Sequence, residues 1–223
     1  MASTISRSSE IIDRAKQTTE LPRVVQDILG VAQAEGSSMR DVVRLCELDL
    51  SLVARVLSLV NSNLLGCRRP IKSLLQAMVI LGVNRVRNFA LISYRTDRFD
   101  RLPDAFPLKR FWSRSFSTAF ISRGIVPDES GVVHEDVFLA GTLHDMGIAF
   151  LCEIFPDEYP YILARASRED VPLHELEQEA IGVQHAEIAA HVCEGWRIPE
   201  GVANVIRVHH GDTPPRGSRR RSG

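Results

Sequence analysis

The residues best suited to chemistry are a histidine and an aspartate side by side, in the run Leu143-His144-Asp145-Met146-Gly147. Three further histidines follow in helix-compatible contexts: His185 and the pair His209-His210. Imidazole nitrogens combined with a carboxylate oxygen form the ligand mixture that Fe, Mn, Zn or Ni accepts. On one continuous helix, neighbouring residues point about 100° apart, so His144 and Asp145 reach one ion only from a special geometry. A plainer reading has Asp145 capping or hydrogen-bonding a neighbouring helix while His144 donates to a buried carbonyl. Cys46, Cys67, Cys152 and Cys193 lie far apart with no C-x-x-C spacing. They read as small buried hydrophobes, not as a disulfide framework or a thiolate metal site. His134, His174 and His191 need no special role, and the arginines of Arg85-Val86-Arg87 and Arg95, Arg98 and Arg101 read as a solvated face.

These residues sit in a chain of 223 residues, 44% hydrophobic and 25% charged, which is globular composition and excludes wholesale disorder. Lys and Arg number 27 against 28 Asp and Glu, so no global charge draws it to nucleic acid or an anionic membrane. Met1 to Arg14 lacks the apolar core of a signal peptide. No apolar run approaches the roughly 20 residues that span a bilayer. A cytoplasmic protein is the expectation.

The periodicity is helical nearly everywhere. Val24, Val25, Ile28, Leu29 and Ala32 share one face behind Pro22, which suits a first helical turn. Ser38, with Asp41 three residues on, caps a second helix, and Asp49 caps a third whose stripe is Val53, Val56, Leu57 and Val60. Asn61-Ser62 ends that helix; Ser73 opens the next, which runs through Leu81 and stops at Gly82. Further helices are expected over Asn84 to Tyr94, Leu108 to Ile125, Glu135 to Glu153, Glu158 to Ser167, Leu173 to Ile181, Ala186 to Glu194 and Pro199 to Val208. The β signal is thin. The fold class is therefore all-α: a polar leader (residues 1–20), an N-terminal helical bundle (21–94), a connecting loop (95–107), a second helical bundle (108–211) and a disordered Arg/Pro tail (212–223).

The order of short motifs resembles a known family. Asp49-Leu50-Ser51-Leu52-Val53-Ala54-Arg55-Val56-Leu57 leads to Val60-Asn61-Ser62, and Ile71-Lys72-Ser73-Leu74 precedes Ala77-Met78-Val79-Ile80-Leu81-Gly82. Phe111-Trp112, Thr118-Ala119, Phe138 to Gly147, His185-Ala186-Glu187, Trp196, Ile198-Pro199 and His209-His210 extend the likeness over residues 21–211. This order resembles HDOD, the HD-related output domain of bacterial signal transduction, a branch of the HD superfamily of metal-dependent phosphohydrolases. Leu50 stands where the family usually places Pro.

The resemblance implies an N-terminal helical bundle packed on a degenerate HD-like bundle. In catalytic HD proteins an earlier His precedes the His-Asp pair and a late Asp completes the metal shell. Aligned through Trp112 and Thr118-Ala119, the earlier position falls on Arg114, which is always protonated and has no lone pair to give. After His209-His210 the one acid is Asp212, ahead of Pro214-Pro215. His144, Asp145, His185 and one of His209 or His210 then form a partial metal site, with Arg114 free to pair with Asp145 and fill the space electrostatically. The resemblance thus implies a non-catalytic regulatory module that contacts a signalling protein, with no cofactor, membrane or nucleic-acid partner expected. The alternatives are a residual phosphohydrolase of a nucleotide or cyclic dinucleotide, using Fe, Mn, Zn or Ni, and a nucleotide sensor without hydrolysis.

Overall fold

The computed structural model describes residues 2–34, 36, 38–61, 70–98, 102 and 106–211, without the side chains of 2–6, 33 and 95–98. It is helical with no strand among the described residues. The chain folds into two compact units.

The first helix, α1 (Ala2–Thr18), precedes a unit made of Thr19–Leu102 together with Trp196–Ile198. That unit holds α2 (Arg23–Gln33), α3 (Met39–Cys46), α4 (Leu50–Val60), α5 (Leu74–Leu81) and α6 (Val83–Arg98). The local signals act as expected. Asp49 accepts hydrogen bonds from the Ser51 and Leu52 amides at 2.9 and 3.1 Å, satisfying donors at the start of α4. The Ser38 amide and hydroxyl both donate to the Asp41 carboxylate, at 2.9 and 2.6 Å. Gly82 ends α5 at φ +83°, a left-handed conformation that glycine adopts without a Cβ clash. Ile28, Val42, Cys46, Val56, Val60, Met78, Leu81 and Val86 form the core of this unit.

Asn61 does more than cap. Its side-chain amide donates to the carbonyls of Leu57 and Ile71, both at 2.8 Å, while its oxygen accepts from the Ile71 amide at 2.7 Å. It therefore clips the end of α4 to the approach of α5, inside one unit. Ser62 and Cys67 lie outside the described residues, as do 99–101, 103–105 and the Arg/Pro tail over 212–223. Residues 95–98, placed in the loop by sequence, continue α6.

The second unit gathers α1, α7 (Leu108–Ile125), α8 (His134–Leu143), α9 (Met146–Ile154), α10 (Tyr159–Glu169), α11 (Leu173–Ala180), α12 (His185–Gly195) and α13 (Glu200–Val208). Two corrections to the sequence reading fall here. The polar leader is a helix whose Ile11 and Ala15 are buried, packed along α12 and α9. One i, i+4 apolar pair in a polar stretch is enough to dock a helix and too little to show as periodicity. The single helix expected over Glu135 to Glu153 is two, broken at His144-Asp145, where Asp145 takes φ −95° and ψ 4°. Apolar residues continue on both sides of the break, so nothing in the pattern marks it. The stretch His134–Ile154 is long and apolar enough to cross a membrane, unlike the sequence expectation, yet 78% of its apolar window is buried within the protein.

Two glycines set the spacing of this unit. A Cβ at Gly141 would stand 2.6 Å from the Ala119 Cα, so α7 and α8 touch backbone to backbone. A Cβ at Gly147 would overlap the carbonyl oxygen of His185, so α9 and the start of α12 are equally close.

Candidate metal centre

The break between α8 and α9 supplies the special geometry that a continuous helix lacks. It turns the Asp145 carboxylate into the unit, where it is almost fully buried. Three imidazoles and a guanidinium converge on it. His144 Nε2 lies 3.2 Å from Oδ2, and His185 Nε2 and His209 Nε2 each lie 3.5 Å from Oδ1. Arg114, on α7, places Nη2 2.7 Å from Oδ2. His210 joins through its Nε2, 2.8 Å from His185 Nε2.

Three of the rings are oriented by their other nitrogen. His144 Nδ1 donates to the Gly141 carbonyl at 2.8 Å, and His209 Nδ1 donates to the Ile206 carbonyl at 2.7 Å. A carbonyl only accepts, so each ring donates through Nδ1 and turns Nε2 inward. His185 is held by Glu177, whose carboxylate accepts from Nδ1 at 2.7 Å and from the His185 backbone amide at 2.8 Å. The Tyr159 hydroxyl donates to the same carboxylate, and Tyr159, Glu177 and His185 are all buried. His210 stacks on His174, ring centroids 4.4 Å apart at 15°. Histidines that bind metals characteristically donate the remote N–H to a carbonyl or carboxylate in this way.

The charges are tightly balanced. Burial alone would raise the Asp145 carboxyl, but the imidazoles of His144, His185 and His209 hold it well below the usual carboxylate range. Burial alone would lower His185, but Asp145 and Glu177 raise it to about 9. Burial, reinforced by the neighbouring imidazoles, pushes His210 down to about 3. Without a metal, His185 is therefore an imidazolium donating Nε2–H to neutral His210. Burial and then the charge of Glu177 push the Tyr159 hydroxyl up, keeping it a donor.

Two buried polar atoms here have no hydrogen-bond partner: Asp145 Oδ1 and His209 Nε2. Buried polar atoms are nearly always satisfied, so this pair, 3.5 Å apart, calls for an explanation, of which a bound ion is one. Donor atoms of Asp145, His185, His209 and His210 all lie within 4.8 Å of one another. Ligand bonds of about 2.0–2.2 Å would require these atoms to draw somewhat closer around an ion. A carboxylate with three imidazoles fits Zn, Fe, Mn or Ni.

Of the residues singled out by sequence, His144, Asp145, His185, His209, His210 and Arg114 come together here. Both His209 and His210 take part, where sequence left the choice open. Asp49, Asn61, Leu81, Gly82 and Trp196 belong to the other unit, where they cap, clip and pack; Pro199 opens α13. Glu177 and Tyr159 were not anticipated. The available signal was a glutamate on the inward face of α11, one place after buried Leu176.

Comparison with known proteins agrees with this geometry. A solved HDOD domain protein of unknown function from Geobacter sulfurreducens superposes with TM-score 0.75 at 24% identity, covering 92% of this chain and 71% of that one. A structure from Shewanella amazonensis SB2B that bears a phosphohydrolase name matches with TM-score 0.74 at 25% identity, over 90% of this chain and 71% of its own. An uncharacterized protein of Treponema pallidum (strain Nichols) is 26% identical over 210 residues, 93% of this chain. The chain spans 40% of the length of that relative. The sequence pattern of the HDOD domain matches residues 19–211, and the chain belongs to the HDOD domain family.

Proposed function

We propose that this chain is a non-catalytic regulatory module of bacterial signalling, working in the cytoplasm by contact with a signalling protein. The observation that supports this most is the 2.7 Å pair between Arg114 and Asp145. A guanidinium there gives Oδ2 a permanent cationic partner where a metal would otherwise draw on it. Two-metal phosphohydrolase chemistry needs ions about 3.5–4 Å apart sharing such carboxylates. With Oδ2 taken by Arg114, the cluster suits one cation at Oδ1, where it acts as an internal pin rather than as half of a reaction centre.

The unpartnered Asp145 Oδ1 and His209 Nε2 favour a second reading, a single-metal phosphohydrolase of a nucleotide or cyclic dinucleotide. There Asp145, His185, His209 and His210 would hold the ion, which supplies a bound water of lowered pKa. The name of the Shewanella structure points the same way.

Elemental analysis of the purified protein after incubation with Mn, Fe, Zn or Ni, paired with hydrolysis assays on bis(p-nitrophenyl) phosphate and cyclic dinucleotides, separates the two. The regulatory reading expects no turnover above buffer under any metal, and more metal held by Arg114→His than by the wild type. Turnover that follows metal content and disappears in Asp145→Asn establishes the second reading instead.

A further inference from the structure

Beside the histidine cluster, α7, α8, α13 and the segment leading into α8 enclose a cavity of about 420 Å³. Small-ligand pockets run to about 300–1,000 Å³, with mostly apolar walls and a few polar groups that fix orientation. Val132, Val133, Val137 and Val205 supply the apolar wall, and His144 and His209 line the end nearest Asp145. Val132 and Val133 remain 48% exposed and Val205 55%. Exposed apolar side chains gathered around one opening mark a binding surface, whereas scattered ones do not.

The polar end is equally defined. His144 meets Asp145 Oδ2, and Arg114 meets the same oxygen. The guanidinium therefore shares its Asp145 oxygen with His144, which lines the cavity, and stands one turn of α7 before Thr118, which also lines it; Arg114 itself is not a lining residue. Its side chain is 63% exposed, and Asp145 engages it through Nη2. A guanidinium carries five N–H donors in a fixed fork, so the remaining donors are presented to solvent beside the cavity.

We propose that this cavity binds a small ligand with an apolar, ring-sized body and an anionic head, a phosphate or a carboxylate. The body sits among the valines and the head accepts hydrogen bonds from Arg114. This rests on the regulatory reading only in giving that module something to sense. A phosphonate cannot be hydrolysed, so turnover that overturns the regulatory reading leaves a binding result standing, and the reverse.

Isothermal titration of the full chain in EDTA tests it with phenylphosphonate, benzoate, methylphosphonate, benzyl alcohol and benzylamine. Phenylphosphonate or benzoate is expected to bind at least about tenfold tighter than methylphosphonate, which lacks the body, and than benzyl alcohol, which lacks the charge. The stronger of the two identifies the head. Arg114→Gln is expected to bring the anions down to the level of benzyl alcohol, and Val205→Trp, at a half-exposed position that fills the cavity, to abolish binding of all five. Thermal melts confirm folding of each variant; if Arg114→Gln is unfolded, Arg114→Lys and Val205→Trp carry the test. Equal binding of methylphosphonate, preference for benzylamine held by Asp136, which also lines the cavity, binding that survives Val205→Trp, binding that requires added Zn, or no binding at millimolar ligand overturns the proposal.

Discussion

At the scale of the residue, the centre is organised by what holds each imidazole from behind. Glu177 does most: it fixes the ring and backbone of His185 and is itself held by Tyr159. Removing such an outer partner typically lowers metal affinity about 10–100-fold. Glu177→Gln is expected to do so in a competition titration with a Zn chelator, and Tyr159→Phe to do so less. The titration of His185 gives a second expectation. Its folded value of about 9 lies above the ordinary value of 6.5, so the proton stabilises the folded, metal-free state. That contribution is fully present below pH 6.5 and is lost as pH rises through about 9; a shift of this size corresponds to at most on the order of 3 kcal/mol. Urea melts of metal-free protein should show the wild type losing stability across this window and His185→Asn losing much less. A metal must displace the same proton, so metal affinity is expected to rise over the pH range in which the metal-free fold weakens.

At the scale of the element, the centre depends on a two-residue break and two close helix approaches. Had α8 and α9 run on as one helix, His144 and Asp145 would diverge. The turn lets His144 cap α8 while Asp145 points inward. Gly147 then allows α9 to meet the backbone of His185, so one small residue sets the distance between Asp145 and His185. Gly147→Ala is expected to cost at least about 1–3 kcal/mol in urea unfolding through overpacking, and to weaken metal binding because His185 is displaced. The control is Gly30→Ala in α2, where a Cβ meets nothing within 4 Å. There the substitution is expected to stabilise by about 0.5–1 kcal/mol. These signals differ in how far they could be read from sequence. The Asp49 cap, the Gly82 stop and the span of α7 depend on a few neighbouring residues, and all were legible. The break at Asp145 was not, because apolar residues continue on both flanks and the Gly141 and Thr142 that precede it are buried inside α8, so they mark no helix end.

At the scale of the whole molecule, neither unit is one continuous piece of chain. The Thr19–Leu102 unit recruits Trp196–Ile198, and the other unit takes α1 from before it and α7 to α13 from after it. Trp196 is the anchor of that return: it is buried, and its indole N–H donates to the Thr19 carbonyl at 2.9 Å. Trp196→Ala is expected to destabilise by about 3–5 kcal/mol. Hydrogen exchange should show the loss in α2 and its neighbours, far away in sequence. Faster exchange confined to residues around 196 would show that Trp196 does not anchor that unit. The reading of 1–20 as a leader failed for the same reason. Its membership is decided by Ile11 and Ala15 meeting α12 and α9, helices that lie far along the chain from them.

The all-α class, most helix spans and the caps follow from the sequence itself, whereas Arg114 and the grouping of the histidines with Asp145 came from the family resemblance. The class, spans and caps are carried by residue type and by spacing along a few turns, which one chain displays without its partners. The tertiary structure alone decided which oxygen of Asp145 faces Arg114, that Glu177 and Tyr159 stand behind His185, and that the first helix belongs with the last ones. Each of these is a contact between residues brought together across many turns of chain, and burial, which selects them, is a property of the folded interior.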